Sequence, residues 1–362
     1  MRLRTLDLFS GLGGFSYALH AVCKTVAYCE IDQNCHIALK GAMDAKLIDR
    51  APIYSDIQAV TGKMLPKKID MITAGFPCPD ISISGLGAGL EGERSGLIRE
   101  IFRLVDERPD IDMVLLENSP MLTTRGYSDI RDFFHRRGFV LLYGIFSAAE
   151  VGGPHKRRRF YGLATKRDLK RFKLPLIRVP DQWAGREPCP RLIPRPSDKL
   201  VRQYQAERLK MLGNAVCPQT VAYAFYTLVH GAQGRLRAPL RGRLDPVRHI
   251  LAEEDGVSVS LMKPTLDHPV PLTKPSSIEW DGLRCRASNW PTPVADNWHQ
   301  CRRLGRRTCD TLVNQIFFDR ATLDAFDDGS SAPNYLSLKY MVNPDFVEFL
   351  MGYPLGFSQG PI

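Results

Sequence analysis

The stretch Asp7-Leu-Phe-Ser-Gly-Leu-Gly-Gly14 decides the fold. It closes an apolar run, Arg4–Phe9, expected as a strand, and opens an amphipathic run, Phe15–Val22, expected as a helix. Glycines at such a turn let the backbone approach a ligand, and the helix start offers oriented N–H groups. The spacing Gly11-x-Gly13-Gly14 departs from the G-x-G-x-x-G of dinucleotide folds. Working outward, the same alternation predicts strands at Thr25–Glu30, Asp70–Ala74, Met113–Leu116, Phe139–Phe146 and Phe160–Ala164. Helices are expected over Gln33–Leu39, Leu97–Val105 and Ser128–Arg136. A βαβα order builds an α/β fold with a mostly parallel sheet, whose ligands collect at the carboxyl ends of the strands.

Chemistry-bearing residues fall at those ends. Glu30 closes the second strand, where a carboxylate can hydrogen-bond a ribose diol. Asp56-Ile57 precedes the next element and could flank an adenine, so an adenosine-containing cofactor is expected. Ala74-Gly-Phe-Pro-Cys78-Pro79 follows a strand, and the two prolines make a rigid platform for a thiol that becomes a nucleophile once deprotonated. A buried structural cysteine is the plainer alternative. Met113-Val-Leu-Leu-Glu117-Asn-Ser-Pro120 sets a carboxylate after four apolar residues, which is costly to bury without a purpose. In Pro154-His-Lys-Arg-Arg-Arg-Phe160, Arg157 and Arg159 alternate at strand spacing and are expected to share a face.

Five segments in this order, Asp7–Gly14, Gly75-Phe-Pro-Cys78, Glu117-Asn118, Arg157-x-Arg159 and Gly213-Asn-Ala-Val216, resemble the motifs of DNA (cytosine-5) methyltransferases of phage and bacterial type. The resemblance covers about residues 3–165 and 205–230 and implies a Rossmann-like methyltransferase fold. It implies S-adenosyl-L-methionine as cofactor, with S-adenosyl-L-homocysteine as product, bound by Phe9, Gly11, Gly13, Glu30, Ile31, Asp56, Ile57, Leu97, Asn214 and Val216. It implies Cys78 as the nucleophile at cytosine C6, Glu117 as the group on N3, and Arg159 with Arg157 as holders of the pyrimidine carbonyl. The target base must then leave the stack. Ser82, Ser84 and Arg94, in a glycine-rich stretch read as a lid, are the implied DNA contacts. Pro79, Ser119 and His155 depart from the common pattern without removing a group the reaction needs.

The chain has 362 residues, 44% hydrophobic and 24% charged, which excludes disordered, collagen-like and coiled-coil classes. No run of 18 uncharged apolar residues occurs, and Asp7 interrupts what a signal peptide would need, so a cytoplasmic protein is expected. Nine cysteines at scattered spacing argue for free thiols. Residues 151–250 hold 22 Lys+Arg against 6 Asp+Glu, a net of +16, whereas the rest holds 27 against 33, a net of −6. Such a strip suits a polyanion such as nucleic acid, and the resemblance implies that this is double-stranded DNA.

The expected domains are a catalytic unit over 1–165, a proline- and arginine-rich connector over 166–204, a helical segment over 205–232 packing back on the catalytic unit, and a target-recognition lobe over 233–362. Within the last, Trp290–Ala295 and Asn343–Pro354 are similar to segments that phage-type members carry before the Gly-Asn motif, so that lobe is read as displaced in chain order. Cys285, His299, Cys301 and Cys309 fit no zinc spacing, and no metal is expected. A monomer, with a cognate restriction endonuclease as a candidate partner, completes the expectation. Three readings compete with it: the same chemistry on tRNA, a DNA-binding regulator with a vestigial site, and a nicotinamide oxidoreductase, the last opposed by the glycine spacing.

Overall fold

The computed structural model describes residues 2–77, 96–124, 126–175, 177, 179–180, 182–183, 189, 191–232 and 340–359. Cys78, Ser82, Ser84 and Arg94, the lid reading, the candidate metal ligands and all of 233–339 lie outside them.

A seven-stranded sheet forms the centre, in the order β3-β2-β1-β4-β5-β7-β6. Its strands are β1 (Leu3–Leu8), β2 (Cys23–Cys29), β3 (Ile53–Tyr54), β4 (Met71–Gly75), β5 (Met113–Asn118), β6 (Val140–Ser147) and β7 (Arg158–Thr165). The first five are parallel neighbours, and β7 inserts antiparallel between β5 and β6. This is the α/β class with a mostly parallel sheet that the alternation predicts, with β3 the strand too short to read from sequence.

Both faces are covered, because successive strand residues point to opposite sides. Ile72, Ala74, Val114 and Leu116 share one core with Ile98, Ile101 and Phe102 of α3 (Gly96–Glu107) and Ile130, Phe133 and Phe134 of α4 (Tyr127–His135). Met71, Met113 and Leu115 share the other with Phe15 and Ala18 of α1 (Gly14–Ala18) and Val221, Phe225 and Leu228 of α6 (Pro218–Ala232). Helix α1 stops well before Val22: the Val22 and Cys23 N–H groups both donate to the Leu19 carbonyl, turning the chain straight into β2.

A third core holds α2 (Gln33–Asp44), α5 (Lys199–Asn214) and a segment from the far end of the chain. That segment is β9 (Tyr340–Val342) followed by α7 (Pro344–Leu350). Strand β9 pairs antiparallel with β8 (Leu192–Pro194) in the connector, and Phe346, Val347, Leu350 and Tyr353 pack with Leu209, Leu212 and Leu39. The sequence assigns residues 340–359 to the recognition lobe. They are instead built into the catalytic unit, because α7 buries its apolar face against α5 rather than keeping it for a separate core.

Candidate active site

The turn after β1 is shaped by three residues in the left-handed region, Phe9 (φ 53°), Gly11 (φ 52°) and Gly13. A Cβ on Gly11 would meet nothing within 4 Å, so this glycine borders open space. Gly13 (φ 81°) differs: its missing Cβ makes room for Leu39 and Ile48, about 3 Å away, which gives it a packing reason. Beside Gly11 lies Glu30, whose Oε2 accepts the Gly11 N–H at 2.7 Å and whose Oε1 accepts the Asp32 N–H at 2.9 Å. Ile31, next to it, is 73% exposed, an apolar side chain left facing solvent at the carboxyl edge of the sheet. Asp56 is exposed just beyond β3, Ile57 is buried beneath it, and Leu97 is half-buried at the start of α3. Open backbone, a fixed carboxylate and uncovered apolar surface along one edge fit an adenosine-bearing cofactor.

Beneath this edge sits Asp7, a fully buried carboxylate that accepts from Thr73 Oγ1 at 2.7 Å and Ser16 Oγ at 3.0 Å. Burial pushes its carboxyl up to about 7; the two hydroxyls pull the other way, and the charge of Glu30 adds to the rise.

The catalytic candidates meet farther along the same edge. Strand register sets Gly75 opposite Glu117, and a Cβ on Gly75 would come 3.3 Å from Glu117 Oε2. Glu117 is 8% exposed and pairs with Arg159 Nε at 3.1 Å. Burial holds its carboxyl above the usual range although Arg159 and Arg157 both favour the anion. Asn118 Nδ2 donates to the Phe76 carbonyl at 3.0 Å, fixing the backbone that leads through Pro77 to Cys78.

The two arginines reach different partners. Arg159 turns to Glu117, whereas Arg157, buried, donates to the carbonyls of Gly213 and Ala215. Arg157 thereby braces the end of α5, where Asn214 is exposed, and the turn into α6, which carries the buried Val216. Val216 in turn reaches the glycine loop: a Cβ on Gly14 would sit 2.5 Å from its Cγ2.

Four contacts that sequence reasoning missed tie the far end of the chain to these walls. Tyr353 Oη donates to the Val216 carbonyl at 2.9 Å, and Gln219 Nε2 donates to the Gly352 carbonyl at 2.8 Å. Trp183 Nε1 donates to the Phe349 carbonyl at 2.8 Å. His155 Nε2 lies 2.7 Å from the Leu350 carbonyl, which can only accept, so the proton is on Nε2. Burial, and after it the charge of Arg157, pushes His155 down to about 3, so the ring stays neutral. The available signal was Asn343-Pro344, an N-cap followed by proline ahead of an apolar run.

A family model described as C-5 cytosine-specific DNA methylase matches residues 3–184. The type II methyltransferase M.CviJI of Paramecium bursaria Chlorella virus IL3A is 32% identical over 236 residues, 64% of this chain and 60% of that protein. The type II methyltransferase M.HhaI of Haemophilus parahaemolyticus is 29% identical over 180 residues, 48% of this chain and 53% of that protein. A crystal structure of S. pombe Dnmt2 methyltransferase has a TM-score of 0.39 at 24% identity, over 45% of this chain and 51% of that one. The matches thus span little more than half the length of each of these relatives.

Proposed function

We propose that this chain, which belongs to the C-5 cytosine-specific DNA methylase family, methylates C5 of a cytosine flipped out of a specific duplex DNA site, with S-adenosyl-L-methionine as donor. One observation carries the reading: the buried Glu117–Arg159 pair stands beside Gly75, three residues ahead of Cys78, on the edge that also holds the Gly11–Glu30 crevice.

Cytosine C5 is a weak nucleophile. Cys78, as thiolate, would add to C6, forming an S–C6 bond and shifting the ring electrons toward C5 and N3. Glu117, whose raised pKa favours the protonated form, would donate to N3 and stabilise the charge that develops there. Arg159 would hold both the Glu117 carboxyl and the pyrimidine carbonyl. The cofactor supplies an electrophilic methyl group on a sulfonium, which C5 takes. Loss of the C5 proton to a base, return of the N3 proton to Glu117 and expulsion of Cys78 as thiolate would then restore the aromatic ring and regenerate the site.

The residues that would hold the cofactor are Phe9, Gly11, Glu30, Ile31, Asp56, Ile57, Leu97, Asn214 and Val216, with Gly13 setting the loop's shape. Ser82, Ser84 and Arg94 are proposed DNA contacts, and 233–339 the recognition lobe, with the basic strip of 151–250 gripping phosphates. A cytoplasmic monomer working beside a restriction endonuclease fits this role. Transfer of tritiated methyl groups to duplex DNA and to tRNA tests the substrate. Label in duplex DNA, lost on Glu117→Ala, is expected; label in tRNA alone would overturn the proposal.

A further inference from the structure

Helix α3 carries a polar network that the proposed reaction does not use. At its centre is Arg103, whose Nη2 donates to two backbone carbonyls, Ile57 and Val60, each at 2.9 Å. Its Nε donates to Glu100 Oε2 and its Nη1 to Glu107 Oε1, both at 2.8 Å, so the guanidinium is held on its own helix while it reaches the loop. Glu107 Oε2 accepts the Gly62 N–H at 2.6 Å, and Arg108 Nη1 donates to the Gly62 carbonyl at 3.1 Å. A Cβ on Gly62 would come within 3.0 Å of both Arg108 and Glu107, so glycine lets the loop lie this close.

We propose that Arg103 is a positioning residue for the cofactor: it fixes the Asp56–Gly62 loop against α3, and so sets Asp56 and Ile57 at the right distance from Leu97. The proposal rests on the cofactor reading above. Leu97 stands at the start of the same helix, so one rigid element joins two walls of the crevice. Ile57 and Val60 are themselves buried in the core under this loop, which anchors the fold without Arg103. What the guanidinium adds is direction: a planar fork with fixed donors sets carbonyl positions that apolar packing leaves loose.

The test uses the full chain and two variants, Arg103→Gln and Arg103→Lys. S-adenosyl-L-homocysteine binding by calorimetry should weaken about tenfold in Arg103→Gln, the size expected for losing a charge-assisted contact. Arg103→Lys keeps the cation, but its single nitrogen, with three donors, cannot serve Glu100, Glu107 and both carbonyls at once, so it should bind with an intermediate affinity. KM for S-adenosyl-L-methionine should rise in step, with kcat and KM for DNA near wild type, a split that general unfolding does not produce. Unchanged binding in either folded variant would overturn the assignment. So would a loss of kcat, DNA binding and melting temperature together in Arg103→Lys, which would make Arg103 a fold residue. Should wild type itself bind no S-adenosyl-L-homocysteine, the cofactor reading fails first; should wild type bind and the variants match it, only the role of Arg103 fails.

Discussion

Replacing Asp7 by asparagine should change how stability depends on pH, in a direction the structure fixes. The Asp7 carboxyl is fully buried, receives hydrogen bonds from Thr73 and Ser16, and is raised from 3.8 to about 7. The folded protein therefore keeps this proton across a window in which the unfolded chain has lost it. More protons on the folded state mean that unfolding free energy falls as pH rises. The stabilising contribution is complete below about pH 4, declines up to about pH 7 and is flat beyond. Roughly three units at ~1.4 kcal/mol each give on the order of 4 kcal/mol. An asparagine side chain has the same shape and does not titrate, so the Asp7→Asn variant lacks this slope; any change in its hydrogen bonds to the two hydroxyls is an offset common to all pH values. Urea unfolding of both proteins at pH 4, 5, 6, 7 and 8 reads the difference. The variant should gain on wild type by several kcal/mol between pH 4 and pH 8, mostly below pH 7. Parallel curves, or a variant that loses ground as pH rises, would refute the assigned burial of a charge-bearing Asp7.

Further substitutions probe the crevice and its supports. Glu117→Gln keeps the shape but cannot pass a proton to N3, so kcat in methyl transfer should fall by about 10²–10⁴; unaltered kcat would remove Glu117 from the chemistry. Gly14→Ala would drive a Cβ to 2.3 Å from Tyr353 Oη and 2.5 Å from Val216 Cγ2. Forcing these buried groups apart should cost about 1–3 kcal/mol in chemical denaturation and weaken cofactor binding. Arg208→Met leaves Glu348, fully buried and paired to Arg208 at 2.9 Å, without its cation. A loss of about 3–5 kcal/mol is expected in a thermal or urea melt, and a neutral result would show that α7 docks by packing alone.

Much of the sheet was legible because each strand carries its own signal. The runs that became β1, β2, β4, β5, β6 and β7 were readable from their apolar or β-branched residues, and their order alone set the parallel core. Helices α2 and α3 run longer than expected: α2 continues its buried face through Ala42 and Met43, one turn past Leu39, and α3 extends over the polar Asp106 and Glu107. The site was legible to the level of residue type at strand ends: Glu30, Gly75 and Glu117 lie along the carboxyl edge where the pattern put them. What stayed hidden depends on distant partners. Gly11 and Gly13 read alike, yet one borders open space and the other packs on Leu39 and Ile48. Arg157 and Arg159 read as a pair, yet the first serves carbonyls of a turn 56 residues away. Backbone carbonyls leave no trace in a sequence, which is why the grips of Arg103, His155, Gln219 and Tyr353 could not be foreseen. The return of 340–359 escaped for a related reason: β8 and β9 are three residues each and pair across the whole of 233–339.

The central claim is that Cys78 attacks a cytosine base. Duplex DNA in which 5-fluorocytosine replaces the target cytosine isolates that step, because fluorine at C5 cannot leave as a proton and expulsion of the thiolate is blocked. Incubation with S-adenosyl-L-methionine, followed by denaturing electrophoresis, should give a protein–DNA adduct that survives denaturation and disappears in Cys78→Ala. No adduct with the wild-type protein, or an adduct that persists in Cys78→Ala, would contradict the account.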